Sequence, residues 1–221
     1  GGDPKSTASL STTSGLKFVN SDPAFEKFLK DAGISPKDLG SMSKEEFEAL
    51  TDPSNPDSIR SRASSIKKKQ QKLFTAPGSK LGVIIDGTGD DYEKLAGKKK
   101  ALEEIGYDTY MVFVNTSLEV AQERNAQRDR TLPEDLVEEI WSDVQQNLGA
   151  FQNLFGASNI VIVDNTVYGP LPENIQKAVN SFLRAPIRNP IGRKWVEGEL
   201  AQRGGGTKKE RGRLLGQGRR R

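Results

Sequence analysis

The sequence predicts an α/β fold, a parallel sheet layered between helices in a three-layer αβα sandwich. Three observations carry that expectation. Leu81-Gly82-Val83-Ile84-Ile85 is a short apolar run, rich in β-branched residues and without alternation, so it reads as a strand covered on both faces. Strand-like and helix-like stretches alternate along the chain, the signature of βαβ units. Four strand-like runs stop on polar clusters: Asn20-Ser21-Asp22, Asp86-Gly87-Thr88, Asn115-Thr116 and Asp164-Asn165-Thr166. A parallel sheet would gather all four along one edge, where open α/β sheets bind ligands.

Composition narrows the chemistry. A chain of 221 residues is long enough for one substantial domain with extensions. It holds no apolar run of membrane-spanning length and no leader of signal-peptide type, so no membrane partner and a cytoplasmic location are expected. With no Cys there is no disulfide framework or thiolate. With no His, zinc sites of the His and Cys kind, imidazole acid–base catalysis and Ser-His or Cys-His nucleophiles are excluded. Catalysis is left to carboxylates, Lys, Arg, hydroxyls, backbone amides or a hard cation such as magnesium. The net charge of +3 hides a split: from Arg184 to Arg221 there are 12 Lys and Arg against 3 acidic residues, while the rest holds 21 basic and 27 acidic. An acidic body thus carries a basic tail.

In chain order, Gly1-Gly2-Asp3-Pro4-Lys5-Ser6-Thr7 ends like a phosphate-binding loop but lacks its full glycine pattern, and it also reads as a plain terminus. Gly15–Asn20 is a short strand. Asp22 suits a helix N-cap with Pro23 at the first helical position, and Phe25, Phe28 and Leu29 form the core face of that helix. Residues 33–78 form an insertion with short helical pieces, including the capping box Ser43 to Glu46; it is either a substrate-covering module or a long surface excursion. A polar helix from Asp57 to about Phe74 carries Arg60, Arg62 and Lys67-Lys68-Lys69, a run whose usual meaning is a solvated face.

Beyond the central strand, Asp86 and Thr88 sit between glycines that allow close approach to a ligand, although Asp86 or Asp90 equally suits capping the helix that starts near Asp91. Gly106 stops that helix. Thr109–Val114 is the next strand, and Ser117 to about Gln127 the next helix. It runs into Arg124, Arg128 and Arg130, suited either to reach over a polyanion from a mobile segment or to pair with Glu119, Glu123 and Asp129. Pro133 opens a helix with a stripe of Leu136, Val137, Ile140, Trp141, Val144 and Leu148, closed by Gly149. Asn159–Val163 is a buried strand. Pro172–Leu183 is the last core helix, with Ile175, Val179, Phe182 and Leu183 inward. In the tail, Ile191 and Trp195 are expected to dock a short helix, with Gly204-Gly205-Gly206 and the last 15 residues irregular.

The ordered series Lys5-Ser6-Thr7, Val19-Asn20-Ser21-Asp22, Val83–Gly89, Phe113–Thr116, Arg124–Arg130 and Val161–Asn165 resembles the P-loop kinases of the zeta-toxin-like and polynucleotide-kinase-like branch, including forms seen in tailed bacteriophages. That resemblance implies a P-loop NTPase-like sheet of order two-three-one-four-five, and an ATP- and magnesium-dependent transfer of the γ-phosphoryl group to an acceptor hydroxyl. Lys5 would neutralise phosphates, with Ser6 on magnesium and Thr7 beside it. Asp22 would orient and deprotonate the acceptor, which Asn20, Asp86 and Thr88 would line, Asp86 also on the metal side. Arg124, Arg128 and Arg130 would be lid cations. Asp164 and Asn165 would lie near the adenine.

The chain departs from the family at its start, where the loop glycines and the central first strand are missing. The expectation is therefore an N-terminally truncated kinase, with weakened ATP affinity and two strands left without their shared neighbour. The alternative is a non-catalytic nucleic-acid- or virion-associated protein that binds nucleic acid through its basic tail.

Overall fold

Polar punctuation sets where most helices begin. The computed structural model describes residues 15–167 and 173–216. Over these the order is β1 (Lys17–Val19), α1 (Asp22–Asp31), a 3-10 turn (Pro36–Ser41), α2 (Lys44–Thr51), α3 (Ile59–Phe74), β2 (Val83–Ile85), α4 (Tyr92–Glu104), β3 (Met111–Asn115), α5 (Leu118–Ala126), α6 (Glu134–Phe155), β4 (Ile160–Asp164), α7 (Glu173–Arg184), α8 (Pro190–Gln202) and α9 (Lys208–Leu215). Ser43, Ser58, Asp91, Ser117, Asn189 and Thr207 each accept a backbone N–H from the turn that follows. The capping box at Ser43 and Glu46 is formed. Asp91 caps α4, so neither Asp86 nor Asp90 has that duty. Gly149 does not close α6; the helix runs on to Phe155 and stops where Gly156 turns at φ +75°.

The fold is α/β, mostly helical, with short parallel strand pairs. The polar ends of four strands were expected along one sheet edge, with two of the strands left without their shared neighbour, and this edge is divided. Among the described residues there are instead two sheets of two: β1 beside β2, in register Lys17↔Val83 to Val19↔Ile85, and β3 beside β4, in register Met111↔Ile160 to Asn115↔Asp164. The polar strand ends therefore collect in two pairs. Val83, Ile84 and Ile85 are half-buried, less covered than a strand buried on both faces.

The chain divides into two compact units. The first takes the described residues up to Asp90 with Thr116–Gln145; the second takes Asp91–Asn115 with those from Gln146 onward. In the first, Phe25 and Leu29 of α1 pack with Leu39, Phe47, Ile59 and Ala63, joined by Leu132 and Leu136. The 3-10 turn and α2 are thus core elements, not a surface excursion. Burying a Leu or Phe side chain contributes about 1.5–3 kcal/mol, so Leu39 and Phe47 anchor residues 33–56 to α1 and α3.

In the second unit the Phe113 and Phe151 rings lie 6.4 Å apart, with Tyr92 5.7 Å from Phe151. The tail is helical here: Val196, Leu200 and Leu215 form a cluster with Trp195 against it. Ile191 stands 51% exposed, and Leu183 of α7 is exposed as well, so neither points inward. The reason is periodicity: Gly192, Val196 and Leu200 repeat every four residues and put Ile191 on the outer side. Gly192 lies directly against the Gly106 backbone, where a side chain at either position has no room.

Candidate functional site

In the first unit, β1 and β2 end side by side, and the N–H of Asp86 continues the ladder to the carbonyl of Val19 at 3.1 Å. Past β1, the Asn20 side-chain oxygen accepts the N–H of Asp22 at 2.9 Å. That local bond occupies an oxygen expected to meet an acceptor. Asp22 is not the N-cap: Ser21 holds that position without a side-chain bond, and Asp22 is the first helical residue. A carboxylate there is favoured by the helix dipole. Its Oδ1 lies 3.4 Å from Nη2 of Arg130, a partly exposed ion pair.

Phe25, one turn along α1 and 1% exposed, gathers the cations. The Arg130 guanidinium carbon lies 5.2 Å from its ring centroid and that of Arg60 lies 4.7 Å from it. Burial and the neighbouring charge of Arg130 hold the Arg60 guanidinium below its ordinary range, opposed by Asp22 and Asp90. Next to it Arg62 stands 4.1 Å over the Phe28 ring. The run on α3 is therefore not simply a solvated face: its first two arginines are seated on aromatic rings, and Lys67 Nζ donates to the Asp86 carbonyl.

Arg130 sits in the segment after α5, and that segment is tied down. Asn125 accepts the N–H of Leu132 at 2.9 Å and donates to its carbonyl at 2.8 Å, while the Thr131 hydroxyl donates to the Lys37 carbonyl at 3.3 Å. An arginine held this way is preorganised rather than swung in. Arg124 is half-buried within α5 and Arg128 is exposed just after it. Asp86, Gly87 and Thr88 are exposed beyond β2, with Gly89 at φ +84° turning the chain toward α4.

In the second unit Asp164 closes β4, and Asn165 donates its N–H to the Asn115 carbonyl at 2.7 Å. The Thr166 hydroxyl and N–H, at 2.6 and 2.9 Å, hold the Asp164 carboxyl below its usual range. A concavity lined by Gln152, Gly156, Ile160 and Ile162 opens at the other end of β4 and has no charged group in its wall.

Lys5, Ser6 and Thr7 lie outside the described residues. Among the described residues no three acidic side chains converge as a metal-holding group. Asp86, exposed beyond β2, is the carboxylate that would stand on the metal side, and magnesium held through nucleotide phosphates needs only one or two such groups. Asn20, Asp22, Asp86, Thr88, Arg124, Arg128 and Arg130 fall in the first unit, and Asp164 and Asn165 in the second. Sequence reasoning missed Arg60 and Asp90. The available signal for Arg60 was that residues 59–74 carry six cations and no acid, where an ordinary surface helix mixes signs.

No protein-family model matches the chain, and no curated protein or solved structure matches it.

Proposed function

We propose that the chain is a phosphotransferase of the P-loop kinase kind, moving the γ-phosphoryl group of ATP to a hydroxyl of a small molecule or of a polynucleotide end. The observation that carries this reading is the Asp22–Arg130 pair at the carboxyl ends of β1 and β2, with Arg60 against the same Phe25 ring. A carboxylate held beside two guanidinium groups suits an acceptor whose hydroxyl must lose a proton while negative oxygens are held nearby. Strand order supports the same reading. If β1 to β4 stand for strands two to five of the order two-three-one-four-five, the pairs β1–β2 and β3–β4 are the expected neighbours.

In this mechanism Asp22 accepts the proton of the acceptor hydroxyl as its oxygen bonds to the γ-phosphorus. The bond from that phosphorus to the β–γ bridging oxygen breaks and ADP departs. Arg130 and Arg60 offer donors to the charge on the phosphoryl group or the acceptor. Asp86 and Thr88 line the acceptor side, and Lys5, Ser6 and Thr7 meet the donor phosphates.

The test is transfer from γ-labelled ATP to nucleosides, nucleotide sugars and 5′-hydroxyl oligonucleotides. Asp22→Asn is expected to lower transfer by about 10²–10⁴-fold while the protein stays folded, with only a small fall in melting temperature from the lost charge at the helix start. Transfer to none of these acceptors, or transfer unaffected by Asp22→Asn, overturns the proposal.

A further inference from the structure

We infer that the outer arc of α3 is a docking face for a nucleic-acid strand, held through its phosphates. Residues 59–74 include Arg60, Arg62, Lys67, Lys68, Lys69 and Lys72 and no acidic residue. At roughly 100° per residue, Arg62, Ser65, Lys68, Lys69, Lys72 and Leu73 share one arc about 140° wide. All six are exposed. The opposite side carries the buried Ile59 and Ala63 and the half-buried Ile66 and Phe74.

Other helices of this chain match their surface cations with acids one turn away: Lys27 with Asp31, Lys44 with Glu48, Lys99 with Glu103, Lys177 with Glu173 and Arg203 with Glu199. On the outer arc of α3, among the described residues, no carboxylate comes within ion-pair distance of Arg62, Lys68, Lys69 or Lys72. Like charges at Lys68 and Lys72, four apart, weaken the helix they stand on. A polyanion would remove that repulsion. Arg62 is already fixed by its seat on Phe28, and from Arg62 to Lys72 the stripe runs about 15 Å, enough for a few successive phosphates.

The arc selects the partner class. A helix that lies in a lipid surface needs an apolar face to enter it, and the apolar side of α3 is spent on the core, leaving Leu73 as the one large apolar side chain of the arc, 67% exposed. Lys and Arg donors beside a Ser hydroxyl match phosphate and sugar oxygens. The inference concerns this face alone and stands whether or not the chain transfers phosphoryl groups.

The experiment is fluorescence anisotropy of a labelled 20-nucleotide single-stranded DNA with the full chain across a salt series. Lys68→Gln/Lys69→Gln/Lys72→Gln is expected to weaken binding at least tenfold and to lower the slope of log K against log salt by about 2, since each phosphate contact contributes about 0.7 on a single strand. Arg219→Gln/Arg220→Gln/Arg221→Gln is expected to stay within about threefold of the parent, and circular dichroism should show both variants folded. The inference is overturned if the parent does not bind DNA, if the lysine variant binds as the parent does, or if the whole loss follows the terminal arginines. It is equally overturned if phosphatidylserine vesicles are bound and DNA is not, or if polyglutamate of equal charge displaces the DNA as well as unlabelled DNA does.

Discussion

Phe25 shows how one residue serves both stability and charge. Its ring is buried among Leu29, Leu39 and Ile59, and its face receives Arg60 and Arg130. A cation over an aromatic face contributes about 0.5–2 kcal/mol. The repulsion between the two guanidinium groups opposes this, and Asp22 and Asp90 offset part of it. Arg60 stays charged all the same, because a guanidinium does not give up its proton in proteins. Phe25→Ala is expected to cost about 3–5 kcal/mol in urea unfolding; a loss below about 1 kcal/mol would contradict the packing described. If Arg60 holds the acceptor, Arg60→Lys raises the acceptor KM about tenfold while kcat stays within about threefold, because a point charge replaces a bidentate fork. A fall confined to kcat would assign Arg60 to the transition state instead.

At the scale of elements, short caps and close backbone approaches set the geometry. The capping box of α2 satisfies two orphan donors reciprocally, with Ser43 accepting from Glu46 N–H at 3.2 Å and Glu46 accepting from Ser43 N–H at 2.9 Å. Ser43→Ala is expected to cost about 1 kcal/mol by chemical denaturation. The α8 start depends on Gly192 meeting Gly106, whose φ of +103° suits glycine. A methyl group at Gly192 would overlap the Gly106 carbonyl oxygen, which is backbone and cannot rotate away. Gly192→Ala is therefore expected to destabilise by about 1–3 kcal/mol, read as a lower melting temperature, whereas Gly149→Ala, with nothing within 4 Å and at mid-helix in α6, should stabilise by up to about 1 kcal/mol.

For the whole molecule, acid stability follows from carboxylates held in their charged form. Burial pushes the Glu103 carboxyl up, but hydrogen bonds from Lys99 and Thr109 and the Lys99 charge outweigh it, so it lies below its ordinary 4.5. A carboxyl that is lower when folded contributes stability above its unfolded value, and that contribution disappears as pH falls through the folded value. Glu103→Gln should therefore lower the melting temperature at about pH 6–7, with the gap closing in acid; a constant gap would contradict the assignment.

Much of the architecture was legible locally. Helix and strand types follow periodicity, as at Phe25 and Leu29 or Ile160–Asp164, and the Ser43 box and the Gly106 stop depend on residues within a turn of the event. Asp22 at a strand end and Arg130 after a basic helix end were both legible as charged groups. Their pairing was not, since nothing in residue spacing brings positions 22, 60, 90 and 130 together. That was decided by packing: α1, α3 and the Asn125–Leu132 clamp converge on one aromatic ring. Packing likewise decided the register of each strand pair and that Lys208–Leu215 coils into a helix, because ladders and apolar clusters form between residues far apart in the chain. By itself the sequence determined the alternating elements, the acidic body with its basic end and the exclusion of thiol and imidazole chemistry, since these rest on composition and local period; the tertiary structure alone decided which cations are seated on rings and which are left on an open helix face, because burial and charge pairing are properties of neighbours in space.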